Sequence, residues 1–342
     1  MRSFSTKIGR CAILDQSLGE DVHHFSKHQA PGIMSLPQHH REEVLMLSSV
    51  NFWMCFAGLI YLVAGFFILR KEISAARGWD KLITLGCIFI AVPLAVFAPE
   101  HFGGPMGVPD MVPSWMPAHV FWAYFVGCAL FAAATSLTVR KFIRLSSTLL
   151  GLMFFLFVCM MHIPNALADP KNRFAWAIAL RDLSFAGGAW ALAGLHGRAS
   201  SPQQSKRMIL FGRIVIAIAA IFFAVEFFLH PEFAPGFPLA KMTPLWVPFP
   251  SVWGYLTGAI LLAAGIGLAL NKKSRIAATS LGALMTVLTL FLYLPIWILA
   301  RGGTTPEIME AINYVFDTLI YAGTALVLAS ALPRDPDRVE KT

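Results

Sequence analysis

Charge is scarce in this sequence: Asp, Glu, Lys and Arg make up 13% of its 342 residues, against 57% apolar. A water-soluble fold cannot hide that much apolar surface, which excludes an ordinary soluble domain. Cysteine is also scarce. The five cysteines (Cys11, Cys55, Cys87, Cys128 and Cys159) are isolated, with no CxxC pair and no zinc-ligand spacing. A disulfide framework and a dithiol redox centre are therefore unsupported, and the cysteines read as small apolar residues. The formal charge is +8, but no single basic stripe exists. Lysines and arginines sit in short connectors, where they act as topology signals and leave no footprint for nucleic acid. The first 45 or so residues lack the charged start, apolar core and cleavage site of an ordinary signal peptide. No haem, flavin or iron–sulfur motif is visible, so electrons for any redox chemistry would have to come from a partner.

What is present is a succession of apolar runs of about 20 residues, the length that crosses the hydrocarbon core as a helix. The runs are continuous and lack strand-like alternation, which favours helices over a barrel. The expected fold is all-α: a polytopic transmembrane bundle of about nine spans, near 52–70, 82–100, 117–138, 145–163, 174–195, 208–229, 251–270, 276–299 and 309–331. Positive charge recurs in alternate connectors, at Arg70 to Lys81, Arg140 to Arg144, Arg198 to Arg207, Lys272 to Arg275 and Arg334 onward. That alternation predicts a multi-pass protein of the bacterial inner membrane, with the amino end outside and the carboxyl end cytoplasmic. Residues 1–50 form a polar tail expected to be disordered. Its histidines (His23, His24, His28, His39 and His40) have nothing nearby to fix a metal geometry, and no metal site is expected.

The chain can be laid on itself. FAPEHF from Phe97 matches FAVEFF from Phe223, pairing Glu100 with Glu226. PSWMPAHVFWAY from Pro113 matches PLWVPFPSVWGY from Pro244, pairing Trp115 with Trp246 and Trp122 with Trp253. RLSSTLLGLM from Arg144 matches RIAATSLGAL from Arg275, HIP at His162 falls on YLP at Tyr293, and Asp182 falls on Asp317. Trp, Pro, Glu and Asp are not the filler residues of membrane helices, so ordered matches of this kind point to duplication. Two four-helix repeats, 80–196 and 208–332, are expected, joined by a cytoplasmic linker at 197–207 and preceded by an extra span with its connector at 51–79. Residues 333–342 form a cytoplasmic tail. Four spans per repeat place both copies in the same orientation, about an axis along the bilayer normal.

With an acid ending one helix, a Pro- and Trp-rich segment before the next, an Arg at the start of the third and, in the first unit, an Asp followed by AGGAWALAG from Ala186 in the fourth, the chain resembles the DoxX-like integral membrane proteins. The resemblance covers roughly residues 80–332. It implies a four-helix bundle per unit and an association with quinone-linked redox complexes or their assembly. The chain departs from the family in carrying two units and no cysteine pair.

Ionisable residues inside spans are the natural functional candidates, since an Asp at mid-helix costs about 2.5–3.5 kcal/mol on insertion scales. Glu100, His162 and Asp182 are the candidate catalytic residues, and Trp115, Glu226, Trp246, Tyr293 and Asp317 the candidate ligand-binding residues. Chain direction gathers a carboxylate pair, a His or Tyr and aromatics at the outer end of each unit. Small residues Ala186, Ala189 and Ala193 follow Asp182 on its face. Tyr321 and Thr324 follow Asp317 and offer it hydroxyl donors. Arg181 stands where the second unit has Phe316, and either pairs with a carboxylate or snorkels outward. Bland readings stand beside these: Glu100 solvated at a helix end, the aspartates bonded for structure, and the tryptophans anchoring at the interface.

Three functions fit. A redox-associated subunit would bind a quinone headgroup through His162, Glu100 and Asp182, with the bilayer and a soluble or membrane redox partner around it. A proton-coupled or small-solute transporter would use the buried acids, although no paired Gly or Pro interruption is expected in the spans. A membrane assembly or scaffold protein would need no chemistry at all.

Overall fold

The computed structural model describes residues 38–102, 111–237 and 241–334, with only the backbone described for residues 38–49 and Thr305. Nine helices long enough to span a bilayer follow one another among the described residues: α1 (Gln38–Ala75), α2 (Asp80–Phe102), α3 (His119–Val139), α4 (Ile143–Ala168), α5 (Arg173–Gly197), α6 (Pro202–Leu229), α7 (Pro250–Ala269), α8 (Ser274–Ala300) and α9 (Thr305–Ala331). Eight of them are also apolar enough to cross a membrane. The ninth, α5, has the length but carries Arg173, Arg181 and Asp182. The protein is an all-α, multi-pass membrane bundle. An isolated antiparallel bridge, Phe233 to Met242, is the one strand-like pairing among the described residues.

Helix α1 starts at Gln38, earlier than the expected boundary at residue 51, so His39 and His40 are helical. The tail residues 1–37, with Cys11, His23, His24 and His28, and the carboxyl-terminal residues 335–342 lie outside the described residues.

From Leu47 onward the chain packs as one unit. Helices α2 to α9 each pack on the next in chain order, and α9 returns to α2 to close a ring. Helices α5 and α9 also pack on each other across its middle. Small residues permit that approach. Gly187 of α5 meets Gly212 of α6, Gly188 of α5 meets Thr324 of α9, and Gly282 of α8 meets Leu326 of α9. Ala186, Ala189 and Ala193 are all buried, as their face of α5 requires. Without a hydrophobic drive between helices in lipid, such backbone proximity and van der Waals contact are what hold them together.

Paired local features recur along the chain. Non-glycine residues with positive φ fall in three pairs, Ala118 with Phe249, Arg140 with Asn271 and Phe142 with Lys273, each 131 positions apart. Each pair marks the same events: the start of α3 or α7, and the tight connector after it. The same separation relates two π turns, Val158–His162 in α4 and Thr289–Tyr293 in α8. Pro164 and Pro295 follow them directly. A proline inside a helix has no N–H and clashes with the carbonyl four residues back, and widening the helix by one residue relieves that clash. Paired prolines do stand within these two spans, but each span runs on as one helix through its π turn and is widened there, not broken.

The basic connectors meet at one end of the bundle, stapled by their own charges. Arg140 pairs with Glu72 at 2.6 Å, and Asp80 receives Arg275 at 2.8 Å and Arg334 at 3.2 Å. Arg198 donates to the carbonyl of Ala331, and Arg144 to Ser200.

Candidate functional site

At the end opposite the basic connectors, ionisable side chains from α4, α5 and α9 join in one network. The π turn of α4 ends on His162, whose Nε2 lies 2.8 Å from Oδ2 of Asp182 on α5. The other oxygen of Asp182 accepts from Nε of Arg181 at 2.9 Å. The same guanidinium donates through Nη1 to Oδ2 of Asp317 on α9 at 2.5 Å. Arg181, Asp182 and Asp317 keep only 15%, 10% and 16% of their side chains exposed, so this is an ion triad withdrawn from solvent. Asp182 lies nine residues into α5, or about 14 Å at 1.5 Å per residue, which puts the triad just on the amino-terminal side of the helix's middle.

Glu100 ends α2 in a 3-10 turn opened by Pro99. It is half-buried, forms no hydrogen bond or ion pair among the described residues, and lies close enough to Asp317 for the two carboxyl groups to interact. Glu226 on α6 is buried and takes Nη1 of Arg173 at 2.9 Å, while that guanidinium lies 4.7 Å from the ring centre of Phe233. Tyr293 is fully buried. Its hydroxyl donates to the carbonyl of Pro235 at 2.8 Å, and its ring stacks on Tyr314 with centroids 5.6 Å apart.

This arrangement corrects the expected grouping by unit. The repeat places Glu100 with Asp182 and Glu226 with Asp317, but Asp182 and Asp317 share Arg181, and Glu226 packs against α5 through Arg173. The cause is the closure of the ring: α5 packs on α6 and α9 on α2, so the last helix of each four-helix set lies against the first helix of the other. The hydroxyl donors expected for Asp317 do not serve it either. Tyr321 points its hydroxyl towards Ser184 without a hydrogen bond of good geometry, and Thr324 is turned onto Gly188. Arg181 takes their place, by pairing and not by snorkelling outward. Trp115 and Trp246 are 69% and 47% exposed and join neither the triad nor Glu100.

Two features are absent from the sequence expectations. Arg173 is not singled out there, although a buried Glu226 in an apolar helix calls for a cation. The π turns have a visible signal, a Pro two residues after His162 and again after Tyr293.

The chemistry follows from who must donate. A carboxylate accepts only, so Nε2 of His162 carries the proton shared with Asp182. The second ring nitrogen, Nδ1, has no protein partner among the described residues, and the side chain is 22% exposed beside the lipid-facing Cys159 and Ile163. Neutral His162 therefore offers a lone pair at Nδ1, and charged His162 offers a proton there. Among the described residues no group of three His, Cys, Asp or Glu side chains is arranged to hold a metal ion. No protein-family model, curated protein or solved structure matches this chain.

Proposed function

We propose that this chain is a DoxX-like subunit of the bacterial inner membrane, built by tandem duplication, that exchanges protons with a quinone headgroup in the outer leaflet. The observation that carries the proposal is the setting of His162: one nitrogen held by Asp182, the other without a protein partner among the described residues, on a side chain that keeps 22% of its surface exposed. A quinol that is oxidised releases two electrons and two protons. In oxidation Nδ1 of His162 accepts one of these protons from a headgroup hydroxyl and the other passes to water at the membrane surface; in reduction His162 returns one to a headgroup oxygen and water supplies the second. Asp182 stabilises the imidazolium formed in the first case. The electrons pass to or from a redox partner protein. The constant separation of the positive-φ pairs and π turns supports the duplication. The gathering of basic connectors at one end supports an outside amino terminus and a cytoplasmic carboxyl terminus.

A photoactivated azido-quinone in proteoliposomes tests this reading. Labelling is expected to concentrate between Phe154 and Leu167. Labels spread over all lipid-facing helices, as from a plain lipid probe, would sink it.

A second reading has its own support. The paired π turns before Pro164 and Pro295, together with the acids on α5 and α9, suit a proton-coupled transporter whose spans are locally widened. Its signature is proton flux in proteoliposomes that Asp182→Asn abolishes.

A further inference from the structure

The two copies of the site have diverged, and the divergence has a direction. His162 and Tyr293 occupy the same place in the repeat, each closing a π turn. His162 keeps a free ring nitrogen at a partly exposed surface. Tyr293 has committed its single proton to the carbonyl of Pro235 and has no exposed surface. What covers it is the segment after α6. Phe233, Ala234 and Phe237 are buried, and the Phe237 ring packs 5.6 Å from Phe223 and 5.2 Å from Tyr321. Gly236, at φ +131, lies against the Tyr293 hydroxyl in a conformation that only glycine adopts readily.

Several bonds hold that segment down. The amide of Ala234 donates to the Lys241 carbonyl at 2.7 Å and that of Thr243 to the Glu232 carbonyl at 3.0 Å. Lys241 is paired with Glu310 of α9 at 2.8 Å, and Arg173 of the first unit lies over Phe233. Meanwhile the carboxylate of the second unit makes no hydrogen bond to its own Tyr293. Asp317 serves Arg181 of the first unit, and no cation stands at Phe316 to serve it locally.

We infer that the chain holds a single reactive centre, on the first unit around His162, and that the second unit is a structural half. Its outer end is sealed by residues 233–237, and it contributes only Asp317. Asp317 acts as a positioning residue: by fixing the Arg181 guanidinium it holds Asp182, and Asp182 holds the imidazole.

The inference deepens the quinone reading and rests on it for its ligand. A short-chain quinone titrated into the protein in lipid nanodiscs should bind one per chain. His162→Gln and Asp317→Asn should each reduce affinity at least tenfold. Asp317→Glu should restore most of it, and Tyr293→Phe should leave it within about twofold. Two quinones per chain, or equal losses in His162→Gln and Tyr293→Phe, would overturn the single centre while keeping the quinone. If the wild type binds no quinone, the quinone reading fails, and chemical labelling of the wild type decides the inference alone. Diethyl pyrocarbonate should then modify His162, and tetranitromethane should nitrate the exposed Tyr124 and Tyr255 but not Tyr293. An unmodified His162 or a nitrated Tyr293 would refute it.

Discussion

Arg181 is the residue through which α5 and α9 share charge. It neutralises part of the negative charge of Asp182 and Asp317, and its guanidinium is the fork geometry that suits two carboxylates at once. Breaking a buried ion pair by removing one partner typically costs about 3–5 kcal/mol, because the charge left behind is uncompensated. Arg181→Phe, which copies the residue at position 316, should lower the thermal stability of the detergent-solubilised protein by a loss of that order. Adding Asp317→Leu should recover part of it. Losses that simply add would show that the two side chains do not interact. Arg181 was legible in the sequence as a charge with no counterpart in the second unit. Its partner was not, because a charge at one position in a span does not say which neighbouring helix faces it.

At the scale of helices, the π turns decide where His162 points. Each holds one residue more than an α turn, and a one-residue change rotates the downstream side chains by about 100° around the helix axis. Pro164→Ala restores an N–H and removes the clash, so the turn should relax to α geometry and swing His162 away from Asp182. The ring nitrogen NMR signals of labelled histidine should then lose the signature of an Nε2 hydrogen bond to a carboxylate. An unchanged signature would mean that Pro164 does not maintain the turn. The α5–α6 crossing offers a second test, since a side chain at Gly212 would run into the Gly187 carbonyl. Gly212→Val should destabilise the bundle by roughly 1–3 kcal/mol, read as a lower melting temperature in detergent. Span positions were readable because apolar runs of about 20 residues are set off by charged or Pro-rich connectors. The swap of last helices between units was not, because four spans of equal length and orientation can close on themselves or on a neighbouring set.

At the largest scale, helices α2 to α9 form one ring of eight with one network of charges joining α4, α5 and α9. Its proposed orientation predicts labelling by a membrane-impermeant maleimide. Ser74→Cys and Ser200→Cys should react only after cells are permeabilised, and Glu232→Cys in intact cells, whereas the reverse pattern would invert the protein. Function was the least legible level, since the carboxylates, histidine and tyrosine are spread over some 220 positions and only folding decides which of them meet. The claim on which the account turns is that His162, held by Asp182, meets a quinone. Mass spectrometry of the solvent extract of detergent-purified protein, with absorbance spectra of the oxidised and reduced sample, tests it most directly. The account predicts quinone in a stoichiometric amount in the wild type and its loss from a His162→Gln variant that keeps its melting temperature. A wild-type extract free of quinone, or an equal amount retained by His162→Gln, would contradict it.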